Sequence, residues 1–520
     1  MNYADLFRAM LPETVLEIAA LLVLIVDLGI VRKAVLQTRV AVASMLGIAG
    51  CVVAIWGVYA AGKAGFSVDG ELLLSAGRIA GVAQVGILVL TAVTLLLLVE
   101  EKFTKHVGEF VAVVLMAAAG GLIISAAQDL LVIFIGLELL SLGLYILTAF
   151  AKKSGKSAEA AMKYYLFGGM SAAFLLFGFS YLYGLSGSTN LNKIVLGTYM
   201  ASANGAAPLL MLALVMVAVG LGFKVAAVPF HLWAPDAYEG APAPAAAFIA
   251  SVSKVASFAL LITVSSVTLH FLETFHLTGG YVTFKLYPAG APMPRVTPGV
   301  ITTWPFLLMV LSVASMIVGN LAALAQSSVR RLLAYSAIAH AGYILLGLAY
   351  FSRTNVTAGA ILYYILTYGL TTIGAFGVVS VVERATGSDK LDSFLGLHKR
   401  NPTLAAVLLV LFLSLAGIPP LVGFWAKFNL FAAVLDMGYH IPLTQLPTEA
   451  LSLVALAIAM SAVSLYYYLQ VLKRAYVMPA ADESPIKTSP ITTLVLIAIA
   501  AAVVVMGCFP SLLQNWIASF

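Results

Sequence analysis

Charged side chains are scarce in this sequence. Its 22 acidic and 28 basic residues make up 10% of 520, while 62% are hydrophobic. A soluble domain carries roughly 25% charged residues, so this much apolar sequence cannot be hidden in one soluble core. Cysteine is scarcer still: Cys51 and Cys508 are the two, each within an apolar run. Two thiols exclude a disulfide framework and cannot supply the four ligands of an iron–sulfur cluster. No predicted helix offers two histidines or cysteines at metal-ligand spacing, which argues against a metal site. A glycine-rich dinucleotide turn following a strand is also lacking. So are the short alternating segments of a membrane β-barrel and any long polar stretch dividing two soluble domains. The first residues have neither a basic leader nor a small-residue cleavage site. With Glu13 and Glu17 at its start, the first apolar run reads as a retained helix rather than a signal peptide.

What is present is a series of apolar runs, each near the roughly 20 residues that span a bilayer as a helix. They predict an all-α integral membrane protein of about fourteen transmembrane helices. The runs fall at about 11–32, 40–61, 79–99, 107–126, 128–150, 158–185, 207–229, 243–271, 303–324, 329–351, 356–383, 402–435, 450–474 and 489–515. The stretch 272–302, rich in Gly, Pro and Thr, reads as an ordered surface loop.

Lysine and arginine are distributed unequally between the two sets of loops. Residues 32–39, 102–105, 152–156, 330–331, 384–400 and 473–487 together hold 17 of them; the opposite loops hold 7, including Lys63, Lys285, Arg295 and Arg353. Basic loops stay in the cytoplasm. Both termini are therefore predicted on the outer side of a bacterial-type inner membrane. The net charge of +6 reports these loops and the lipid surface rather than nucleic acid.

Four of the 28 basic residues remain, and they fall inside helices: Lys163, Lys224, Lys254 and Lys427. A lysine at mid-membrane costs roughly 2.5–3.5 kcal/mol on insertion scales, and such residues mark ion pathways. Glu138, within Phe134-Ile-Gly-Leu-Glu-Leu-Leu-Ser141, is the carboxylate placed comparably deep. Burial disfavours the charged form of lysine and carboxylate alike, and pairing favours it. A Lys224–Glu138 pair could thus switch, holding the lysine charged when together and releasing its proton when apart. A structural ion pair that fixes helix packing is the blander alternative.

Lys254, in Ala250-Ser-Val-Ser-Lys254, has small neighbours that leave space for water, and no carboxylate on its helix can neutralise it. Lys427 follows Gly417-Ile-Pro-Pro-Leu-Val-Gly423. Two prolines between glycines break a helix, and broken backbone at membrane depth survives only in protein or beside a cavity. Discontinuous helices of this kind form ion sites in transporters. His231 stands seven residues after Lys224, about two helical turns, and histidine suits a proton relay near neutral pH; a loop cap at the headgroups is the alternative. Lys163 follows Glu159 at i+4, so a surface ion pair competes with a relay role. His340 is balanced in the same way. Asp27, a turn from Arg32, reads as a solvated interfacial pair.

The stretch Phe223-Lys-Val-Ala-Ala-Val-Pro-Phe-His-Leu-Trp-Ala-Pro-Asp-Ala-Tyr-Glu-Gly-Ala-Pro-Ala-Pro244 resembles the antiporter-like membrane subunits of respiratory complex I. So do Gly136-Leu-Glu-Leu-Leu-Ser141, Ser251-Val-Ser-Lys254, Tyr335-Ser-Ala-Ile-Ala-His-Ala-Gly-Tyr343 and Leu415-Ala-Gly-Ile-Pro-Pro420. The likeness extends over nearly the whole chain and is greatest to subunit N (subunit 2). It implies two inverted five-helix repeats, helices 4–8 and 9–13, with helices 7 and 12 broken. The segments would be a three-helix part at 1–105, repeats at 106–271 and 303–475, and a last helix at 489–515.

Glu138 matches the family's helix-5 glutamate, Lys224 the helix-7 lysine, Lys254 the helix-8 lysine and Lys427 the helix-12 position. Lysine there favours subunit N over subunit M. By the same resemblance, NADH, FMN, iron–sulfur clusters and quinone belong to other parts of the complex, and this chain contributes proton movement between membrane-arm partners on both flanks. A multisubunit sodium/proton antiporter subunit is one alternative. A structural or assembly membrane protein is another.

Overall fold

The computed structural model describes residues 3–62, 65–68, 71–101, 103–201, 205–278, 281–284, 298–351, 355–436, 448–480 and 483–520. The elements begin with α1 (Tyr3–Ala9), α2 (Leu11–Ile25), a π turn at Val26–Ile30 and α3 (Leu36–Ala61). An antiparallel hairpin, β1 (Phe66–Val68) and β2 (Glu71–Leu74), leads to α4 (Arg78–Leu97), α5 (Val107–Ala126), α6 (Leu130–Thr148) and α7 (Gly155–Ser186). Then come α8 (Leu191–Ala201), α9 (Ala207–Lys224), α10 (Trp233–Gly240) and α11 (Ala243–Thr274). A second hairpin, β3 (Phe275–Thr278) and β4 (Tyr281–Phe284), precedes α12 (Pro298–Leu324), α13 (Val329–Ala349) and α14 (Asn355–Thr386). The chain closes with α15 (Leu397–Arg400), α16 (Pro402–Ala416), α17 (Val422–Asp436), α18 (Thr448–Tyr476), α19 (Pro490–Cys508) and α20 (Pro510–Ser519).

Among the described residues, twelve helices are long and apolar enough to cross a membrane, and Pro402–Ala416 and Val422–Leu435 are shorter apolar helices. Their ends follow local chemistry. Side-chain oxygens of Asp129, Ser154, Ser328, Asn401 and Ser489 accept from the first backbone N–H groups of α6, α7, α13, α16 and α19, satisfying donors that a helix leaves open. Proline opens α9, α16 and α19, where its missing N–H is harmless.

Every one of the fourteen predicted runs contains a helix, with several differences. The seventh run ends at Lys224 rather than 229, because the chain turns at Ala226 with φ +56°. The twelfth is broken between Ala416 and Val422, where the glycines and prolines of 417–423 predict it. The proposed loop 272–302 instead carries the end of α11, the β3–β4 hairpin and the start of α12; its residues 279–280 and 285–297 lie outside the described residues. Lys63, Lys102, Lys285, Arg295 and Arg353 also lie outside them.

Asp27 is a correction. It is 1% exposed and receives Arg39 Nε and Nη2 at 2.8 and 2.6 Å, with the Gly108 N–H at 3.1 Å. The π turn carries Asp27 inward toward α3 and α5 rather than toward Arg32.

The core is centred on α11, whose apolar stretch is buried throughout, whereas α7 and α18 bury only a minority of theirs. On α6, Leu131, Ile135, Leu142 and Ile146 form an exposed apolar stripe. Such surface in a chain of this composition is suited to lipid or to other membrane helices.

Candidate functional site

The two breaks in the helices create the site. Where α9 ends, the carbonyls of its last turn have no intrahelical partners. Lys254, on α11 and 2% exposed, donates its ammonium to the Val225 carbonyl at that end. A cation at a helix C-terminus meets the negative end of the helix dipole. The second break repeats the device. Lys427, 6% exposed, donates to the carbonyls of Leu415 at 3.1 Å and Ala416 at 2.9 Å, and to Ser461 Oγ at 2.8 Å.

Glycine makes this second break possible. Gly417 terminates α16 with φ +89°, which an L side chain rarely adopts. At Gly423 an added Cβ would lie 1.8 Å from the Ser414 carbonyl oxygen. Both breaks also contain a cis proline bond, at Val228–Pro229 and Pro419–Pro420.

Lys224, the last residue of α9, is 8% exposed and donates to Ser141 Oγ on α6; Ser141 in turn donates to the Leu137 carbonyl. Glu138 lies three residues from Ser141 on the same helix and is only half-buried. Lys224 and Glu138 do not form a contact ion pair in this structure; the serine takes the ammonium. Lys224, Lys254 and Lys427 are thus each held by neutral oxygen acceptors.

His231 is 9% exposed, with Nδ1 unpartnered among the described residues and its ring 6.5 Å from that of Tyr335. Because α9 stops at Lys224, its placement follows from the turns at 225–232 and not from helical spacing. His340, on α13, shares a 2.8 Å hydrogen bond with Tyr364 through Nδ1, while Nε2 has no partner among the described residues. Its ring lies 5.8 Å from Tyr343, whose ring faces Lys427 Nζ at 5.6 Å. Tyr343 accepts from Asn320, and Tyr467 donates to Asn320. The surroundings of Lys427 and His340 are therefore a buried chain of hydroxyl and amide groups.

Lys163 stands apart from this interior. It is 41% exposed and bonds Glu159 at 2.6 Å and Asp236 at 2.9 Å. Arg331 joins Asp236 at 2.6 Å and Glu239 at 3.0 Å, tying α7, α10 and α13 together. Burial pushes the Asp236 carboxyl up, but the hydrogen bonds and charges of Lys163 and Arg331 outweigh it and hold the group below its ordinary range.

Sequence reasoning missed Ser141, Ser461 and Tyr364 as partners. Ser141 had a signal, its position one turn from Glu138. Ser461 and Tyr364 had none, since nothing local distinguishes them from other serines and tyrosines in apolar helices.

A family model described as "NADH:quinone oxidoreductase/Mrp antiporter, TM" matches residues 127–284 and 291–452. The chain is 46% identical to NADH-quinone oxidoreductase subunit N 2 of Acidobacterium capsulatum, covering 99% of each chain. It is 38% identical to subunit N 1 of Roseiflexus castenholzii over 82% of this chain and 76% of that one. Among solved structures, a chain of respiratory complex I from Thermus thermophilus with bound aureothin superposes with a TM-score of 0.73 at 31% identity, over 97% of this chain and 98% of that one. A chain of the Mrp complex from Dietzia sp. shares the fold, with a TM-score of 0.74 at 19% identity over 98% and 96%. With this likeness over its whole length, and with its lysines at the two helix breaks, the chain belongs to the NADH:quinone oxidoreductase/Mrp antiporter transmembrane family, among the antiporter-like N subunits of respiratory complex I.

Proposed function

We propose that this chain moves protons across the membrane as the N-type subunit of an NADH:quinone oxidoreductase. The observation that carries this reading is the set of three buried lysines, Lys224, Lys254 and Lys427, none of them in contact with a carboxylate among the described residues. Keeping lysines at such depth is costly, and a merely structural role would be served as well by apolar packing. Serine hydroxyls and broken-helix carbonyls hold an ammonium in place, and they also accept an N–H from the neutral amine after a proton leaves.

In this reading Lys224 and Glu138 are the gated pair. The contact to Ser141 is the disengaged arrangement, and movement of Lys224 onto Glu138 would favour its charged form. Lys254 is the central relay. Lys427 passes the proton onward to the outer side or to a neighbouring subunit, with the His340–Tyr364 pair and the Tyr343–Asn320–Tyr467 chain beside it. His231 delivers protons from the cytoplasmic side. Lys163 belongs to a surface ion cluster and lies at most at the margin of this path.

The fourteen apolar runs are fourteen crossings, with both termini outside. Residues 106–271 and 303–475 are the inverted repeats, between the segment 1–105 and the helix 489–515. Membrane-arm subunits flank both sides, in a bacterial inner membrane. FMN, iron–sulfur clusters, NADH and quinone are held elsewhere in the complex.

Replacing Lys254 with alanine in the assembled complex tests the reading. Pumping and, through coupling, quinone reduction fall, and Lys254→Arg does not rescue them because arginine does not release its proton. Undiminished pumping by assembled Lys254→Ala overturns the relay. The shared fold of the Mrp chain favours a second reading, sodium/proton exchange. Rapid sodium-dependent alkalinisation of liposomes by the isolated chain would select it.

A further inference from the structure

Remote from Lys224, Lys254 and Lys427, α1–α4, the β1–β2 hairpin and α20 line a half-open cavity of ≈ 330 Å³. We propose that it binds an organic ammonium group, with Glu13 as counter-ion. Glu13 lines the cavity and is 2% exposed. Its Oε1 accepts from Gln84 Nε2 at 3.2 Å, and Gln84 also donates to the Leu122 carbonyl at 3.4 Å, which fixes the amide. Oε2 has no partner among the described residues. A buried acceptor left unmet is costly, and its residue lines a space large enough to admit a donor.

The walls narrow the choice of donor. Tyr59, Trp516 and Phe520 line the same cavity. Trp516 Nε1 donates to Tyr59 Oη at 3.3 Å, and the Phe520 ring lies 5.2 Å from Tyr59 and 5.3 Å from Trp516. Linked aromatic rings around one carboxyl group match the recognition of alkylammonium groups, whose charge is attracted to ring faces. A bare divalent cation is a poor match, because Glu13 and Gln84 supply few of the roughly six to eight oxygens that calcium takes. No lysine, arginine or histidine is among the described lining residues. The volume is near the lower end of small-ligand sites, about 300–1,000 Å³. It fits a head group such as ethanolamine, whose N–H groups can meet the unpartnered oxygen, or choline, which lacks an N–H and pairs with the carboxylate and the ring faces by charge alone, whether free or carried by a lipid.

The test uses the full-length chain in detergent and in nanodiscs. Choline and ethanolamine are titrated against 3,3-dimethylbutan-1-ol, the neutral isostere of choline, and binding is read by saturation-transfer NMR. Choline is expected to bind at least about tenfold tighter than the alcohol, as one charge-assisted contact implies. In Glu13→Gln that preference is expected to collapse to near unity. Ala76→Phe, which fills the cavity and leaves Glu13 intact, is expected to abolish both signals.

In the lipid arm, nanodiscs of phosphatidylethanolamine and of phosphatidylglycerol are compared by thermal midpoint. A Glu13-dependent gain with phosphatidylethanolamine, without binding of the free amines, assigns the site to a lipid head group. Binding of the free amines assigns it to a soluble ligand. Equal binding of alcohol and amine, a preference that survives Glu13→Gln, or no Glu13-dependent effect in either arm overturns the proposal.

Discussion

The two halves of the molecule, residues 107–274 and 298–476, solve one problem with different chemistry. Each contains a broken helix whose exposed carbonyls are met by a buried lysine. In the first half the lysine comes from another helix: Lys254 of α11 reaches the end of α9, while Lys224 at that break turns away to Ser141. In the second half Lys427 folds back from α17 onto α16, the other piece of the same broken helix, and meets three acceptors. The first half has two buried lysines and a half-buried carboxyl group. The second has one buried lysine and a run of tyrosines, and each half has a buried histidine, His231 in the first and His340 in the second. In the proposed path one ammonium would both fasten a break and carry a proton, and the two duties would be divided differently in the two halves.

That comparison is tested most sharply at Lys254. Because α11 is central and Lys254 meets a single acceptor, its loss is expected to affect transfer more than folding. Lys254→Met in the assembled complex should lower pumping by about a hundredfold, the scale of a lost acid–base group. A pH-sensitive dye in proteoliposomes measures this; a fall of less than twofold would assign Lys254 to fastening alone.

Lys427→Met should show the opposite balance in stability. It strands two carbonyls and a hydroxyl, each costing about 1 kcal/mol or more when unmet. A loss of about 3 kcal/mol is expected, against about 1 kcal/mol for Lys254→Met. Unfolding in mixed detergent at fixed lipid content compares the two, and equal losses would break the proposed division of duties.

Ser141→Ala removes the acceptor of Lys224 and should cost about 1 kcal/mol. If the serine holds the disengaged arrangement, the variant shifts Lys224 toward Glu138 and slows pumping modestly, while Ser141→Thr preserves it. Unchanged rates in Ser141→Ala would remove the serine from the gate.

The smallest effect is expected at the surface cluster. The Asp236 carboxyl lies below its ordinary range, so its contribution is present above the unfolded-state value and is lost as pH falls through the depressed one. Asp236→Asn should change stability at neutral pH little, as exposed ion pairs contribute little. It should flatten the acid limb of a thermal-midpoint profile, and a large loss of pumping in this variant would return Lys163 to the transfer path.

Composition and hydropathy by themselves determined the membrane class, the fourteen apolar runs and four lysines within them, of which Lys224, Lys254 and Lys427 are buried. Long apolar helices and the cost of a charge in lipid are local properties, readable one segment at a time. The break at Lys427 was legible for the same reason, since Gly417, Pro419, Pro420 and Gly423 act on their own backbone.

Tertiary structure decided the partners. Lys224 meets Ser141 across 83 positions, Lys427 meets Ser461 across 34, and Lys254 meets Val225 across 29. No local pattern encodes such pairings. Packing likewise moved Lys163 outward to Asp236 and drew Asp27 inward to Arg39, because an ionisable side chain settles where another helix supplies the opposite charge. Glu13 departs from that rule. At the start of an apolar run it could have been solvated; packing buried it instead against the neutral amide of Gln84 and left its other oxygen without a partner among the described residues, in a residue that lines a cavity.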